Sequence, residues 1–384
     1  MLPDLRKLPT IFRSASSAGI NRSLLTLVLI LAFSGSAMIF SASYAYAEVR
    51  YGSPYYFIVR QCIWLIVGIG VMLLFSSLPI DALRLLTPYL YGITILLLLA
   101  VLIIGSTGNG AQRWISLGPI TIQPSEIAKT TLVLALAYYY ESNADIAFSR
   151  KSKHSILAAT VYPFLLIGLI CLLVMLQKHL SCLIILGCIG VSVMFLSGIK
   201  LKFLSILGSG AICGVGALAF LTDYTKRRIT IWRNPALYPL DGGWQTLQGL
   251  MAIGSGGFFG RGFGKSLLKY SYVSEPANDM IFTILCEETG FIGATGVILL
   301  FILFTRLVFR IALGTRSTYA RLVALGIGCK VAIQALLNVA VVTNTIPNTG
   351  ISLPFFSYGG SSLVMLFAEM GILLSISRES SKCN

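Results

Sequence analysis

The 384-residue sequence is short of charge, and of acid above all: 11% of its residues are charged, 14 are Asp or Glu, and two are histidine. Soluble globular chains carry about 25% charged residues, so the deficit excludes an ordinary water-soluble domain. His154 and His179 fall in different expected loops, which argues against a His-rich metal centre or a Ser-His triad. The eight cysteines (Cys62, Cys171, Cys182, Cys188, Cys213, Cys286, Cys329 and Cys383) form no CxxC pair and no ladder of loop positions. The first seven sit in or beside apolar runs and read as small apolar packing residues. Coiled-coil heptads, low-complexity tracts, internal repeats and a large soluble domain are likewise missing from the pattern.

What is there is hydrophobic: 56% of the residues, with a mean hydropathy of +0.84. A spanning helix needs about 20 mostly apolar residues. Such runs lie near 23–44, 56–77, 83–104, 124–140, 156–176, 181–199, 203–222, 279–304, 318–342 and 353–377. The expectation is an all-α polytopic membrane protein of ten transmembrane helices, a single membrane domain over 23–378. Tails at 1–22 and 379–384 flank it. The basic N-terminus and the Ala45-Tyr46-Ala47 sequence mimic a secretion signal. The apolar run is longer than a signal core of about 7–15 residues, so it reads as an uncleaved first helix.

Basic residues in short loops set orientation. The N-terminal cluster, Arg84, Arg150 to Lys153, Lys200, Lys202, Arg306 to Arg321, Arg378 and Lys382 share one side, against Arg50, Arg60, Arg113 and Lys178 on the other. The first side, with both termini, is expected to be cytoplasmic. The exception is the long extracytoplasmic loop expected between helices 7 and 8, residues 223–278. It carries Lys226, Arg227, Arg228, Arg233, Arg261, Lys265 and Lys269 against Asp223, Asp241 and Glu275. Two readings are open, an anion-binding surface or headgroup contact by a loop lying on the bilayer. The net charge of +15 points to membrane topology and anionic lipid, not to nucleic acid.

Ionisable groups within spans are costly and usually mark function. Glu126, Glu287, Glu288 and Glu369 lie in expected spans, and Asp279 at the mouth of the eighth. Glu126 and Lys129, three apart, share a helix face, as a self-neutralising pair or as the polar wall of a cavity entered from outside. Glu287 and Glu288 diverge by about 100° on a helix, so they cannot face one partner; Glu369 matches Lys330 as a structural pair. The run Gly254 to Gly264 has six glycines but lacks the spacing and the strand-to-helix context of a nucleotide loop. With Arg261 and Lys265 it could hold a pyrophosphate, or simply turn tightly at the membrane surface. Asp279 is either a partly desolvated general base or an ordinary acid at a helix N-terminus.

Several long motifs stand together in order: Gln112-Arg113-Trp114-Ile115, Gln123-Pro124-Ser125-Glu126-Ile127-Ala128-Lys129, Gly254-Ser255-Gly256-Gly257, Ser274-Glu275-Pro276 to Asp279, Glu287-Glu288-Thr289-Gly290 and Leu353-Pro354-Phe355-Phe356-Ser357-Tyr358-Gly359-Gly360. In these the chain resembles, over nearly its whole length, the SEDS family of peptidoglycan glycosyltransferases. The resemblance implies polymerisation of lipid II in the bacterial plasma membrane, with undecaprenyl pyrophosphate leaving. Asp279 would be the catalytic base. Arg113, Glu126, Lys129, Arg261, Lys265 and Glu275 would contact substrate. The family also implies a class B penicillin-binding protein (a transpeptidase) and other division or elongation proteins as partners. It implies no organic cofactor, but a divalent cation, Mg or Mn, whose ligands the sequence does not reveal. Where many members read Gln-Pro-Asp-Leu-Gly, this chain has Gln177-Lys178-His179-Leu180-Ser181, which with Thr343 to Gly350 leans towards a division-type branch. A lipid II flippase and a non-catalytic scaffold for a transpeptidase are the alternatives.

Overall fold

The structure is a computed structural model that describes residues 21–108, 111–118, 120–144, 157–200, 202–205, 208–209, 223–239, 243–270 and 275–380. The chain opens with three long helices, α1 (Arg22–Tyr51), α2 (Tyr56–Ser77) and α3 (Ile80–Ile104). A small antiparallel sheet follows, in the order β1 (Ser106–Gly108), β2 (Ala111–Leu117), β3 (Ile120–Ile122). Then come α4 (Pro124–Ser142), α5 (Tyr162–Leu176, preceded by a π turn), α6 (Leu180–Leu196), α7 (Asp223–Arg233) and α8 (Gly243–Ser255). The last three are α9 (Ile281–Leu313), α10 (Thr318–Val342) and α11 (Gly360–Ser380).

Among the described residues seven helices are long and apolar enough to cross a membrane, and the 17-residue α6 is a shorter apolar one. Their outward faces show Ile63, Ile66, Leu96 and Ile103 to the surroundings, as lipid-facing helices do. Local signals set the ends. Asn21 caps α1 by accepting from the Leu24 N–H at 3.0 Å, and Gly52 ends it in the left-handed region. Close approach between spans rests on small residues: a Cβ on Gly371 of α11 would stand 2.4 Å from the Met72 carbonyl oxygen of α2.

Three expectations are corrected. The fold is not purely helical: Arg113, Ile115 and Leu117 alternate with Gln112, Trp114 and Ser116 along β2, a two-residue period that pairs with β1 and β3. The run 353–377 is helical only from Gly360. Before it, Pro354 lacks a donor, Phe355 has φ 65°, and the segment enters the core irregularly with Phe355 and Phe356 buried. Finally, α9 is broken at Gly290 (φ 66°, ψ −166°). The expected span at 203–222 falls mostly outside the described residues, as do residues 1–20 and 381–384.

The break in α9 explains the glycine run. The Arg261 and Gly262 N–H groups donate to the Glu287 and Glu288 carbonyls at 3.0 Å each, and Phe291 N–H donates to Gly257 O at 3.0 Å. The loop thus satisfies backbone groups that the break would leave bare in an apolar setting. Contact this close leaves no room for side chains, since a Cβ on Gly256 would lie 2.0 Å from Cys286 O.

Candidate active site

A cavity of about 940 Å³ opens beside the N-terminal end of α9. Its walls come from elements distant in sequence, including β3 (Thr121), α6 (Ser181, Cys182, Ile185) and α8 (Gln245, Thr246). Helix α2 gives Arg60 and Trp64, β2 gives Arg113 and Trp114, and α4 gives Glu126 and Lys129. Helix α7 adds Arg227, Arg228 and Trp232, the turn before α9 adds Glu275 and Asp279, and the 348–362 segment closes it.

Asp279 sits two residues before α9, partly exposed, where the chain is pinned on both sides. Asn338 of α10 donates from Nδ2 to the Asp279 carbonyl at 2.9 Å and to the Ile351 carbonyl at 2.6 Å. Ser357 Oγ donates to Asn278 O at 2.6 Å, and Tyr358 N–H to Ala277 O at 2.8 Å. The backbone is therefore fixed, yet Oδ1 of the carboxylate is buried with no hydrogen-bond partner among the described residues. Burial pushes the acid up to about 6, and Glu275 adds to the rise; the backbone N–H groups of Asp279 and Met280 and the Arg228 cation pull the other way. An acid with that affinity is ionised at neutral pH and still basic enough to take a proton. Gly350, at φ 68°, places its Cα so that a Cβ would meet Asp279 Oδ2 at 3.3 Å, which keeps the approach to the carboxylate clear.

On the opposite wall, Pro124 starts α4 in the first-turn position that suits proline. Lys129 Nζ lies 2.8 and 2.7 Å from the two Glu126 oxygens and 3.3 Å from Gln334 Oε1. The pair is both self-neutralising and cavity-lining. Arg113 reaches across to donate to the Lys178 carbonyl at 2.6 Å, which ties the sheet to the α5–α6 turn. His179, at the start of α6, has Nδ1 3.4 Å from Ser125 Oγ. Burial and Arg113 hold it down at about 3, so the imidazole is neutral.

Of the residues singled out in the sequence, Arg113, Glu126, Lys129, Glu275 and Asp279 meet in this cavity. Arg261 and Lys265 do not. Arg261 Nε lies 3.7 Å from buried Glu287, Lys265 is exposed elsewhere, and the glycine run between them is committed to closing the α9 break. Glu288 is held by Ser41 of α1 and by Lys269 at 3.0 Å. Glu369 pairs with Lys330 at 2.5 Å and accepts from Thr130, away from the cavity. Arg228 belonged to the loop cations read as an anion-binding group, whereas Arg60, Trp64 and Asn338 were not singled out as site residues. A cation only four residues into an otherwise apolar span was the available signal for Arg60. Asn338 carried none beyond being an amide in an apolar run. Among the described residues no three His, Cys, Asp or Glu side chains come together. Those described residues thus offer a divalent cation no cluster of three such ligands.

The profile of the FtsW/RodA/SpoVE family, described as cell cycle proteins, matches residues 21–382. Stage V sporulation protein E of Bacillus subtilis (strain 168) is 37% identical over 362 residues, covering 93% of this chain and 96% of that protein. A protein of Trichlorobacter lovleyi named "Probable peptidoglycan glycosyltransferase FtsW" is 36% identical, covering 92% of each. Among solved structures, a chain of a peptidoglycan synthase complex that coordinates polymerization and crosslinking superposes with a TM-score of 0.78 at 26% identity, over 94% of this chain and 98% of that one. The rod shape determining protein RodA of Thermus thermophilus gives 0.70 at 28% identity, over 94% and 97%.

Proposed function

From the premise that this chain belongs to the FtsW/RodA/SpoVE family, we propose that its cavity polymerises lipid II with Asp279 as the base. The protein is a multi-pass membrane peptidoglycan glycosyltransferase of cell-wall synthesis. In the reaction proposed, Asp279 takes the proton of the acceptor GlcNAc 4-hydroxyl. The freed oxygen bonds to C1 of the donor MurNAc from the face opposite the leaving group. The C1–O bond to undecaprenyl pyrophosphate breaks, C1 inverts, and the electron pair leaves with the pyrophosphate. Preorganised cations stabilise such a developing anion, and Arg113, Arg227, Arg228 and Arg60 line the same space. One base and an anion-stabilising wall suffice for inversion, without the paired carboxylates of glycoside hydrolysis.

The observation that carries this reading is the raised Asp279 carboxylate, its Oδ1 buried without a hydrogen-bond partner among the described residues, in a cation-walled cavity. In this reading the chain crosses the bacterial plasma membrane ten times with both termini cytoplasmic, and the cavity opens on the extracytoplasmic side; the seven long apolar helices among the described residues support a multi-pass arrangement. The structural likeness to a synthase complex supports a class B penicillin-binding protein as partner. The test is polymerisation of purified lipid II with that partner present. Asp279→Asn is expected to lower the rate by about 10²–10⁴-fold while the protein stays monodisperse. Full polymer from the variant would overturn the mechanism. Transport of lipid II across vesicles without polymer would make the protein a flippase.

A further inference from the structure

Helix α8 and the glycine run after it form a surface that the cavity chemistry does not use. The buried side of α8 packs on α9, with Gly249 set against Met280 and Thr283. The other side exposes Trp244 and Met251, one heptad apart, and the stripe continues into Phe258 and Phe259, which are 61% and 80% exposed. Phe258 also meets Phe291 of α9 with ring centroids 5.5 Å apart, and Phe263 is exposed beside them. This stripe is rigidly placed, because its backbone is bonded to the α9 break.

Two helices measure its depth. Glu288 and Lys269 contact Ser41, which stands about 28 Å along α1 from Arg22 at 1.5 Å per residue. Gly290 is about 30 Å along α9 from Arg310 by the same rise. The hydrocarbon core is about 30 Å thick. Both counts put the phenylalanines at the membrane–water boundary opposite the basic-rich face, at the level where aromatic belts form. The charges complete the pattern. Lys269 is used internally by Glu288, but Lys265 is exposed with no charged partner among the described residues, and the Arg261 side chain is 39% exposed.

We propose that α8 and residues 256–267 form an interfacial foot that binds bilayer phospholipids with anionic headgroups. Trp244, Met251, Phe258, Phe259 and Phe263 enter the upper acyl region, while Lys265 meets the phosphates. An amphipathic element with cations beside its apolar stripe binds anionic bilayers in this way. The foot bears on function through α8, whose Gln245 and Thr246 line the cavity on the inner side; lipid at the outer face holds that wall at its height.

The test measures lipid, not polymer, so it stands apart from the assignment of Asp279. The full chain is reconstituted in nanodiscs of phosphatidylglycerol or phosphatidylcholine. Phosphatidylglycerol retained on the detergent-released protein is then counted by native mass spectrometry. A photoreactive residue at position 259 reports what lies against it. Wild type should retain phosphatidylglycerol over phosphatidylcholine, Lys265→Gln should cut that preference about fivefold, and Phe258→Ser with Phe259→Ser should abolish retention. The 259 probe should capture lipid. Every changed side chain is exposed, and an unshifted thermal midpoint confirms the fold. Equal retention of both lipids, retention unchanged in the variants, or capture of a protein instead of lipid at 259 would each overturn the proposal.

Discussion

The two ends of the 223–278 segment carry similar charge and end in different places. In the first, Arg227, Arg228 and Trp232 of α7 line the Asp279 cavity, with Arg228 donating to the Asn348 carbonyl at 2.8 Å and Trp232 to Asn344 O at 3.0 Å. In the second, Arg261 and Lys269 are drawn to Glu287 and Glu288, both fully buried in α9. A buried carboxylate requires a partner, so the carboxylates of α9 decide which cations are structural. Cations without such a demand remain for the substrate or for the membrane. The cluster is therefore not one site: Arg261 and Lys269 form a fold lock, Arg227 and Arg228 a cavity wall, and Lys265 belongs to the proposed lipid-facing edge.

This division is broken most forcefully at the lock. Lys269→Met leaves Glu288 buried beside Ser41 with its counter-charge gone, a loss of about 3–5 kcal/mol. Gly260→Ala acts on the same joint, since its left-handed φ of 77° disfavours a side chain and a Cβ would lie 2.3 Å from Glu288 O. Both variants should fall sharply in thermal midpoint in detergent, and lose activity only as they unfold. A Lys269→Met protein that melts like wild type yet is inactive would erase the distinction, by moving the late cations back to the site.

The cavity wall should behave in the opposite way. Arg228→Gln is expected to reduce the polymerisation rate about 10–100-fold, as one of several cations facing the leaving group, with the thermal midpoint little changed. The carboxylate it faces sets the pH dependence. As the proposed base, Asp279 acts only when ionised, and its proton affinity is raised to about 6. The rate should therefore be flat above that pH and drop about tenfold per unit below it. Removing Arg228 takes away a cation that favours the ionised form, so its variant should shift the limb upward. A limb that stays in place in Arg228→Gln would detach the cation from the base.

Much of this was legible in the residues. Apolar run length gave the long helices, because lipid thickness imposes it directly. Asp279 stood out as a carboxylate at the boundary between a basic segment and an apolar helix, and Glu126 with Lys129 as a pair at helical spacing. What escaped depends on contacts between distant segments. The six glycines read as a pyrophosphate-holding loop or a tight surface turn because nothing in their spacing announces the α9 break at Gly290 that they fill. Phe355 and Phe356 read as the start of a span because an irregular segment buried by protein is as apolar as a helix facing lipid. Arg261 and Lys265 read as anion ligands because sequence proximity to Asp279 is not spatial proximity when Glu287 competes for the same chain.

The smallest effect is also the sharpest divider between the two regions. An acid whose affinity for protons is higher in the folded protein than in the unfolded chain makes the folded state relatively less stable as pH rises through the unfolded value towards the folded one. Above about 6 the native protein holds the ionised Asp279 at a cost, with Oδ1 buried and unbonded. Asp279→Asn removes that charge while keeping the size and shape of the side chain. At pH 7.5 the variant should thus melt no lower than wild type, and slightly higher; at pH 4.5, where wild type is protonated, the two midpoints should converge. A functional carboxylate held against stability would show this sign, in contrast to Glu288, whose neutralisation strands Lys269. A clear fall in midpoint for Asp279→Asn at pH 7.5 would mean that the carboxylate serves the fold, as its neighbours in α9 do.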